Sequence, residues 1–194
     1  MKPIRIITAT VLLLIVTTVL GGCTPRSSAP SSSQSQAELN ALLEKALAVK
    51  KEAELTLKGN RNGDQLTVDV YINNPTQKGI TSVQSWLSFD PKKLEGQAIE
   101  TADSDFELLA PYGAEFDTEA GLVRIGRSSA VPVTKSMIKV ATVRFTIQDT
   151  GTTAIDFYDY RDDLKGHSSV DTIVENVPYN ILLTPKSPAL VIEN

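Results

Sequence analysis

Apolar and polar residues alternate one by one along much of the chain after residue 53. The clearest run has an apolar side chain at every second position: Leu66, Val68, Val70 and Ile72. Because successive side chains of a strand point to opposite faces, this pattern predicts a strand with one buried face and one face in water. The Asn62-Gly63 pair just before the run is typical of a tight hairpin turn.

Further short segments show similar spacing up to the C-terminus. They are separated by turn residues such as Asp90-Pro91 and Thr150-Gly151, and they comprise residues 83–89, 122–125, 143–147, 155–157, 170–174, 181–183 and 190–192. Many short strands joined by turns favour an all-β fold, a sandwich or jelly roll, over a parallel sheet. Residues 53–194 are long enough for one such core.

A different period precedes the strands. Ser35 and Glu38 have the spacing of a capping box, and apolar residues follow at helical intervals: Leu39, Leu42, Leu43, Ala46 and Leu47. This pattern predicts a short amphipathic helix over residues 37–52. The apolar stripe of the helix could pack on the domain, associate with a second helix, or touch a membrane.

The N-terminus has the features of an exported protein. A basic start and an apolar run lead to the sequence LGGC, which ends at Cys23. This order is typical of a secretory signal peptide, and LGGC resembles the lipobox of bacterial lipoproteins, in which the cysteine is acylated. We therefore predict a signal peptide over residues 1–22, lipidation of Cys23, and a disordered Ser/Pro-rich tether over residues 23–36. The alternatives are a plain signal peptide with an incidental cysteine, or an uncleaved anchor.

Composition excludes several function classes. The chain has a formal net charge of −4 and no basic run after the N-terminus, so a nucleic acid partner is not expected. Cys23 is the only cysteine, so the folded part has no internal disulfide, and a single histidine leaves no set of ligands for structural zinc. Acyl chains on Cys23 would hold the protein at the extracytoplasmic face of the cell membrane.

The sequence shows no recognisable catalytic or metal site. His167 and the serines beside it lack the spacing of a nucleophile elbow, so we expect a surface histidine and no enzyme activity. The densest acidic cluster consists of Asp156, Asp159, Asp162 and Asp163. These oxygen ligands could bind Ca²⁺, but the EF-hand pattern is absent, so a solvated acidic loop is favoured. We predict no cofactor and no metal of the protein's own.

Four stretches of the chain, taken in order, carry a family resemblance. They are GNRNGDQLTVDVYINN, KGITSVQSWLSFDPKKLEG, the Gly-led strand at residues 121–125, and KVATVRFTI. Together they resemble the cohesin domain, the receptor module that binds dockerin domains in bacterial assemblies, over about residues 53–183. The resemblance implies a jelly-roll β-sandwich of about nine strands within residues 53–194. It also implies a non-covalent protein partner; a partner with a dockerin would bring its own calcium.

The resemblance gives a role to the strand that contains Trp86, the only tryptophan of the chain. In cohesins this strand belongs to the sheet that receives dockerin. Matched position by position, the residues that point inward are Val83, Ser85, Leu87 and Phe89. The outward residues, which are the predicted partner-binding residues, are Ser82, Gln84, Trp86 and Ser88. Trp86 would be the anchor of the interface; the alternative is that a loop or the helix covers it.

Two other functions stay open from the sequence. A carbohydrate-binding module shares the sandwich architecture and would stack a polysaccharide on exposed aromatic residues, for which the candidates are Trp86, Tyr71, Tyr112, Tyr158 and Tyr160. A structural envelope lipoprotein would bind nothing specific through the sheet. A protein receptor needs a flat face of mixed polar and apolar residues, whereas a sugar binder needs coplanar aromatic rings. We predict the protein receptor.

Overall fold

The computed structural model describes residues 32–158, 168–183 and 190–193. These residues form one helix, α1 (Ser32–Ala48), and eleven strands: β1 (Glu54–Asn62), β2 (Gln65–Asn73), β3 (Ile80–Phe89), β4 (Leu94–Glu100), β5 (Leu108–Asp117), β6 (Leu122–Val133), β7 (Met137–Ile147), β8 (Thr153–Phe157), β9 (Ser169–Val174), β10 (Val177–Asn180) and β11 (Leu190–Ile192). The chain divides into two compact units, Met1–Asn40 and Ala41–Asn194, and the second contains every strand.

Helix α1 begins and ends earlier than the predicted range of 37–52, since it covers Ser32–Ala48. Beyond the helix, the N–H groups of Glu52 and Ala53 both donate to the carbonyl of Ile181, at 2.9 and 3.1 Å. Leu183 donates in turn to the carbonyl of Ala53 at 2.8 Å. The end of the predicted helix therefore pairs with the C-terminal part of the chain and leads directly into β1.

The strands form two antiparallel sheets with the core between them. The first sheet has the order β1-β2-β7-β4. The second has the order β10-β9-β3-β6-β5, with β8 paired to β3 and β11 paired to β8. The predicted β-sandwich is confirmed. There are eleven strands in the described residues instead of about nine, because the short strands β10 and β11 extend the second sheet.

The β1–β2 hairpin follows from the alternating pattern and from its turn. The two strands pair residue by residue, from Glu54 opposite Asn73 to Asn62 opposite Gln65. Gly63 has a φ of 64°, which is the geometry of the first central position of a type II′ turn, where glycine is favoured. The four alternating apolar residues of β2 are at most 2% exposed. The predicted facing of β2 is therefore confirmed.

Three phenylalanines from both sheets meet in the core. The ring of Phe145 on β7 lies 5.2 Å from that of Phe89 on β3 and 5.8 Å from that of Phe116 on β5. Tilted and edge-on contacts of this kind are favourable between aromatic rings. Gly96 of β4 lies against the cluster, and a β-carbon there would collide with the ring of Phe116. The absence of a side chain at position 96 thus makes room for the aromatic contact between the sheets.

The turn after β3 is joined to the turn between β5 and β6. The carboxylate of Asp90 accepts a hydrogen bond from the N–H of Lys92 at 3.0 Å, which stabilises the Asp-Pro turn. The N–H of Phe89 donates to the carbonyl of Gly121 at 2.8 Å. Gly121 has a φ of 64°, and a β-carbon there would collide with the carbonyl oxygen of Phe89. Both the backbone conformation and the close approach therefore require glycine.

Gly63 and Gly121 allow these two requirements to be measured separately, because they share a φ of 64° and nothing lies within 4 Å of a β-carbon at Gly63. We expect Gly63→Ala to lower the free energy of unfolding by about 1 to 2 kcal/mol, the strain of an alanine at the positive φ of this type II′ turn position. Gly121→Ala should lower it by about 2 kcal/mol more, because of the added collision. Urea denaturation of both variants measures the difference, and equal losses would contradict the prediction.

Candidate partner-binding face

Strand β3 divides its side chains between two faces of the second sheet. Four of them point into the core and are at most 7% exposed: Val83, Ser85, Leu87 and Phe89. The four that alternate with them lie on the opposite face: Ser82, Gln84, Trp86 and Ser88. The hydroxyl of Ser85 has no hydrogen-bond partner among the described residues, as expected for a polar group at an apolar position. The structure thus has the facing that was expected for β3.

Cross-strand pairing arranges the side chains opposite the core in rows, because directly paired residues share a face. One row crosses five strands and contains Asn180, Asp171, Ser82, Ser128 and Leu108. The next three rows are Ser169–Gln84–Gly126, Trp86–Arg124–Glu115 and Asp156–Ser88–Leu122–Asp117. We call the residues of these four rows the outer face of the second sheet.

Trp86 lies on the outer face but is only 8% exposed. The ring of Tyr158 stacks on the indole, with centroids 6.4 Å apart and an angle of 17° between the planes. The guanidinium carbon of Arg124 lies 4.8 Å from the indole centroid, within the range of a cation–π contact. Of the two alternatives for Trp86, the structure favours the covered residue, and side chains next to it on the same sheet contribute to the cover.

Arg124 is fixed by two carboxylates of β5. Its Nη1 donates to Glu115 at 2.7 Å, and its Nη2 donates to Asp117 at 3.1 Å. The hydrogen bond to Glu115 is the main cause that raises the pKa of Arg124, so the guanidinium remains charged. A side chain with two such bonds has little freedom to rotate. Arg124 is therefore held in one position against Trp86.

Two strands, β8 and β9, pair with the edge of β3 that lies opposite β6, and a gap between them lies beside Trp86. Strand β9 pairs with Ser82–Gln84, and strand β8 pairs with Leu87–Phe89, so neither reaches Trp86. The N–H of Tyr158 donates to the carbonyl of Trp86 at 2.8 Å, and the N–H of Trp86 donates to Oγ of Ser168 at 3.0 Å. The residues next to β8 and β9 thus satisfy the backbone groups that the strands leave unpaired.

The accessible part of the outer face is polar, with an apolar side chain at one margin. Ser82, Gln84 and Ser88 are partly exposed, and Leu108 on β5 is 48% exposed. Tyr71, one of the aromatic candidates, lies on β2 in the first sheet, with its neighbours Val70 and Ile72 in the core. The outer face is therefore a mixed surface of hydroxyl, amide, carboxylate and apolar groups.

Several predicted features lie outside the described residues. They are the signal peptide at 1–22, the lipidation site Cys23 with most of the tether, and the side chains of Tyr112, Asp159, Tyr160, Asp162, Asp163 and His167. Within the described residues, no three metal-ligating side chains lie together, and no helix is long and apolar enough to cross a membrane. Ser168 and Ser169, which adjoin His167, bond to the backbone of Trp86 and to the carboxylate of Asp171.

The sequence did not identify the charged residues that surround β3. Arg124 lies between Val123 and Ile125, both at most 1% exposed, so strand alternation alone would have placed it outward. Its position beside Trp86 depends on the register between β3 and β6. That register joins residues far apart in the sequence, and no local signal specifies it.

The structure resembles solved cohesin modules. It matches the cohesin in the type I Coh-OlpA–Doc918 cohesin–dockerin complex of Clostridium thermocellum with a TM-score of 0.51 and 17% identity, covering 73% of this chain and 97% of the other. It matches the sixth cohesin of scaffoldin B of Acetivibrio cellulolyticus, solved with a mutant Cel5 dockerin, with a TM-score of 0.52 and 14% identity, at the same coverage. At these identities the likeness shows the fold. No curated protein sequence matches the chain.

The family follows from the sequence itself. The sequence model of the Cohesin domain matches residues 52–177, which is more than half of the chain. The match begins just before β1 and ends at the first residue of β10, so it includes both sheets and the whole of β3. This chain therefore belongs to the cohesin family.

Proposed function

We propose that this protein binds a dockerin-bearing protein non-covalently through the outer face of the second sheet. The observation that carries the proposal is the row of five paired strands through Ser82, which presents polar groups and the exposed Leu108 on one continuous surface. The two solved cohesins named above are both in complexes with dockerins. A binding function of this kind requires neither a catalytic group nor a cofactor.

The contact groups of the interface would be those that β3 presents between its buried residues. Ser82, Gln84 and Ser88 offer hydrogen bonds to the partner from a strand that is paired along both edges. Trp86 is covered, so it would act as a rigid support beneath Tyr158 and Arg124 more than as a contact of its own. A face fixed in this way loses little conformational entropy when it binds, which favours affinity.

The protein would act at the membrane. The signal peptide of residues 1–22 would export it, acylation of Cys23 would anchor it, and the Ser/Pro-rich tether would separate the anchor from the helix. Because the helix begins at Ser32, about nine residues separate it from the anchor, and a flexible segment of that length spans roughly 16 Å on average. The cohesin module would therefore hold its partner close to the extracytoplasmic face of the cell membrane.

Binding to a dockerin can be tested directly. The purified chain is immobilised and offered a panel of dockerin modules that includes those of the two complexes named above, in Ca²⁺ and again in a calcium chelator. We expect at least one dockerin to be retained in Ca²⁺ and released by the chelator, because the calcium belongs to the dockerin. Retention that ignores the chelator would preserve protein binding but exclude a calcium-dependent dockerin.

A matched pair of variants shows whether the outer face is the surface used. Gln84→Tyr adds bulk at the centre of the outer face and should weaken binding at least about tenfold, whereas Thr67→Tyr adds the same side chain to the solvent face of the first sheet and should not. If both variants bind like the wild type, another surface is used. If no dockerin is retained at all, the proposal fails, and a glycan panel then tests the carbohydrate alternative.

The burial of Trp86 predicts a large effect on stability. Trp86→Ala should lower the free energy of unfolding by about 3 to 5 kcal/mol, because it removes an indole that is 8% exposed. Trp86→Phe keeps an aromatic ring beside Tyr158 and Arg124 and should lose distinctly less. Denaturant unfolding of the two variants measures both values. A loss below about 1 kcal/mol for Trp86→Ala would mean that the indole is accessible in solution and free to act as a direct anchor.

The lipid anchor makes a separate prediction. The wild-type chain should fractionate with membranes in its source cells, and Cys23→Ser should release it into the soluble fraction, because serine cannot carry the thioether-linked lipid. Immunoblots of the two fractions measure the outcome, and a replacement at another tether position, Ser27→Ala, is the control. A Cys23→Ser protein that stays in the membrane fraction would indicate an uncleaved membrane span.

A further inference from the structure

The charges of the outer face are unbalanced. Four carboxylates lie on it, from Glu115, Asp117, Asp156 and Asp171, against the single guanidinium of Arg124. Glu115 and Asp117 share that guanidinium between them. Asp156 and Asp171 have no cation within 4.0 Å among the described residues. Two carboxylates of the outer face therefore have no counter-charge within residues 32–158, 168–183 and 190–193.

The solvent face of the first sheet contains ion pairs between acidic and basic residues. There Lys139 lies 3.1 Å from Asp69, and Nε of Arg144 lies 2.9 Å from Glu100. Asp69 and Glu100 thus have basic partners, whereas Glu54 and Glu95 of the same sheet have no cation within 4.0 Å among the described residues. Carboxylates without a counter-charge among the described residues therefore occur on both sheets, and Asp156 and Asp171 are the two that lie on the outer face.

Both unbalanced carboxylates are held in position. One oxygen of Asp171, Oδ2, accepts hydrogen bonds from the hydroxyls of Ser82 at 2.9 Å and Ser169 at 3.3 Å. One oxygen of Asp156, Oδ1, accepts from the N–H of Phe157 at 2.8 Å. In each case the second oxygen has no hydrogen bond within the described residues. Each carboxylate is therefore oriented by the sheet and has one oxygen available for a cation of a partner.

The two carboxylates are separated by a distance that the pairing fixes. Asp171 lies opposite Ser82, and Asp156 lies opposite Ser88, so six residues of β3 separate them. At about 3.3 Å per residue of strand, the two carboxylates are roughly 20 Å apart along β3. The space between them is occupied by the outward side chains of Gln84 and Trp86.

From this charge pattern we infer that the partner carries two basic side chains, lysine or arginine, about 20 Å apart, with one contacting Asp171 and the other contacting Asp156. The inference rests on the proposed function, and it specifies the chemistry of the partner's contact surface. The two contacts lie at the ends of the outer face, and the covered Trp86 lies between them. Because both carboxylates are at the surface, they accelerate association and set the orientation of the partner more than they add affinity.

The test uses the dockerin of the panel that binds the wild-type chain most tightly. Its association and dissociation rates are measured for the wild type, for Asp156→Asn, for Asp171→Asn and for the double variant, at low salt and at about 0.5 M NaCl. Asparagine keeps one oxygen that can accept the local hydrogen bonds, removes the charge, and replaces the second oxygen by an NH2 group. The control is the double variant Glu54→Gln, Glu95→Gln, which removes two negative charges from the first sheet. Melting temperatures confirm that all variants fold.

We expect each single variant to slow association about threefold and the double variant about tenfold, with a weaker salt dependence, while the control pair keeps the wild-type rates. Equal rates for the wild type and the double variant would overturn the inference and leave dockerin binding intact. An effect of only one carboxylate would overturn the two-point contact. If the panel contains no binder, the proposed function fails, and the inference fails with it.

Discussion

Strand β3 contributes side chains both to the core and to the outer face, and the arrangement of the second sheet depends on this division. Its side chains alternate, so the apolar residues that fill the core also fix which residues face outward. A shift of one residue would bring Gln84 and Trp86 into the core and expose Leu87. Pairing with β6 on one edge, and with β8 and β9 on the other, holds the register. The identity of the outer face is thus set by the core.

The outward tryptophan is explained by local cover. An indole exposed on a flat sheet would lose much of the free energy that burial provides, yet Trp86 is nearly as buried as a core residue. Tyr158 stacks on it, Arg124 contacts it, and its backbone groups bond to Tyr158 and Ser168. Neither β8 nor β9 pairs with Trp86. Its backbone groups bond instead to Tyr158 and Ser168, which take the place of the missing strand pairs.

The sequence was sufficient for features that depend on near neighbours. The alternation of β2 and the turn at Gly63 are local, and both were predicted. The helix was predicted over residues 37–52 but covers Ser32–Ala48, and the backbone that follows it bonds to Ile181, which is far away in the chain. The neighbours of Trp86 were missed for the same reason, since Arg124 reaches it only through the register of β3 with β6. The family resemblance supplied the role of the strand, which no pattern of residues could give.

The charged residues of the outer face fall into two groups: those that hold Trp86 in place and those that are proposed to attract a partner. Arg124 forms ion pairs with Glu115 and Asp117. These pairs fix the geometry around Trp86, and they largely neutralise the charges that could attract a partner. Asp156 and Asp171 have the opposite property, because hydrogen bonds orient them and no cation of the described residues lies within 4.0 Å of them. A surface built in this way can change its preferred partner through substitutions at the two aspartates, with little effect on the sheet beneath. Folding therefore constrains the shape of the outer face more strongly than it constrains the two charged residues that are proposed to select the partner.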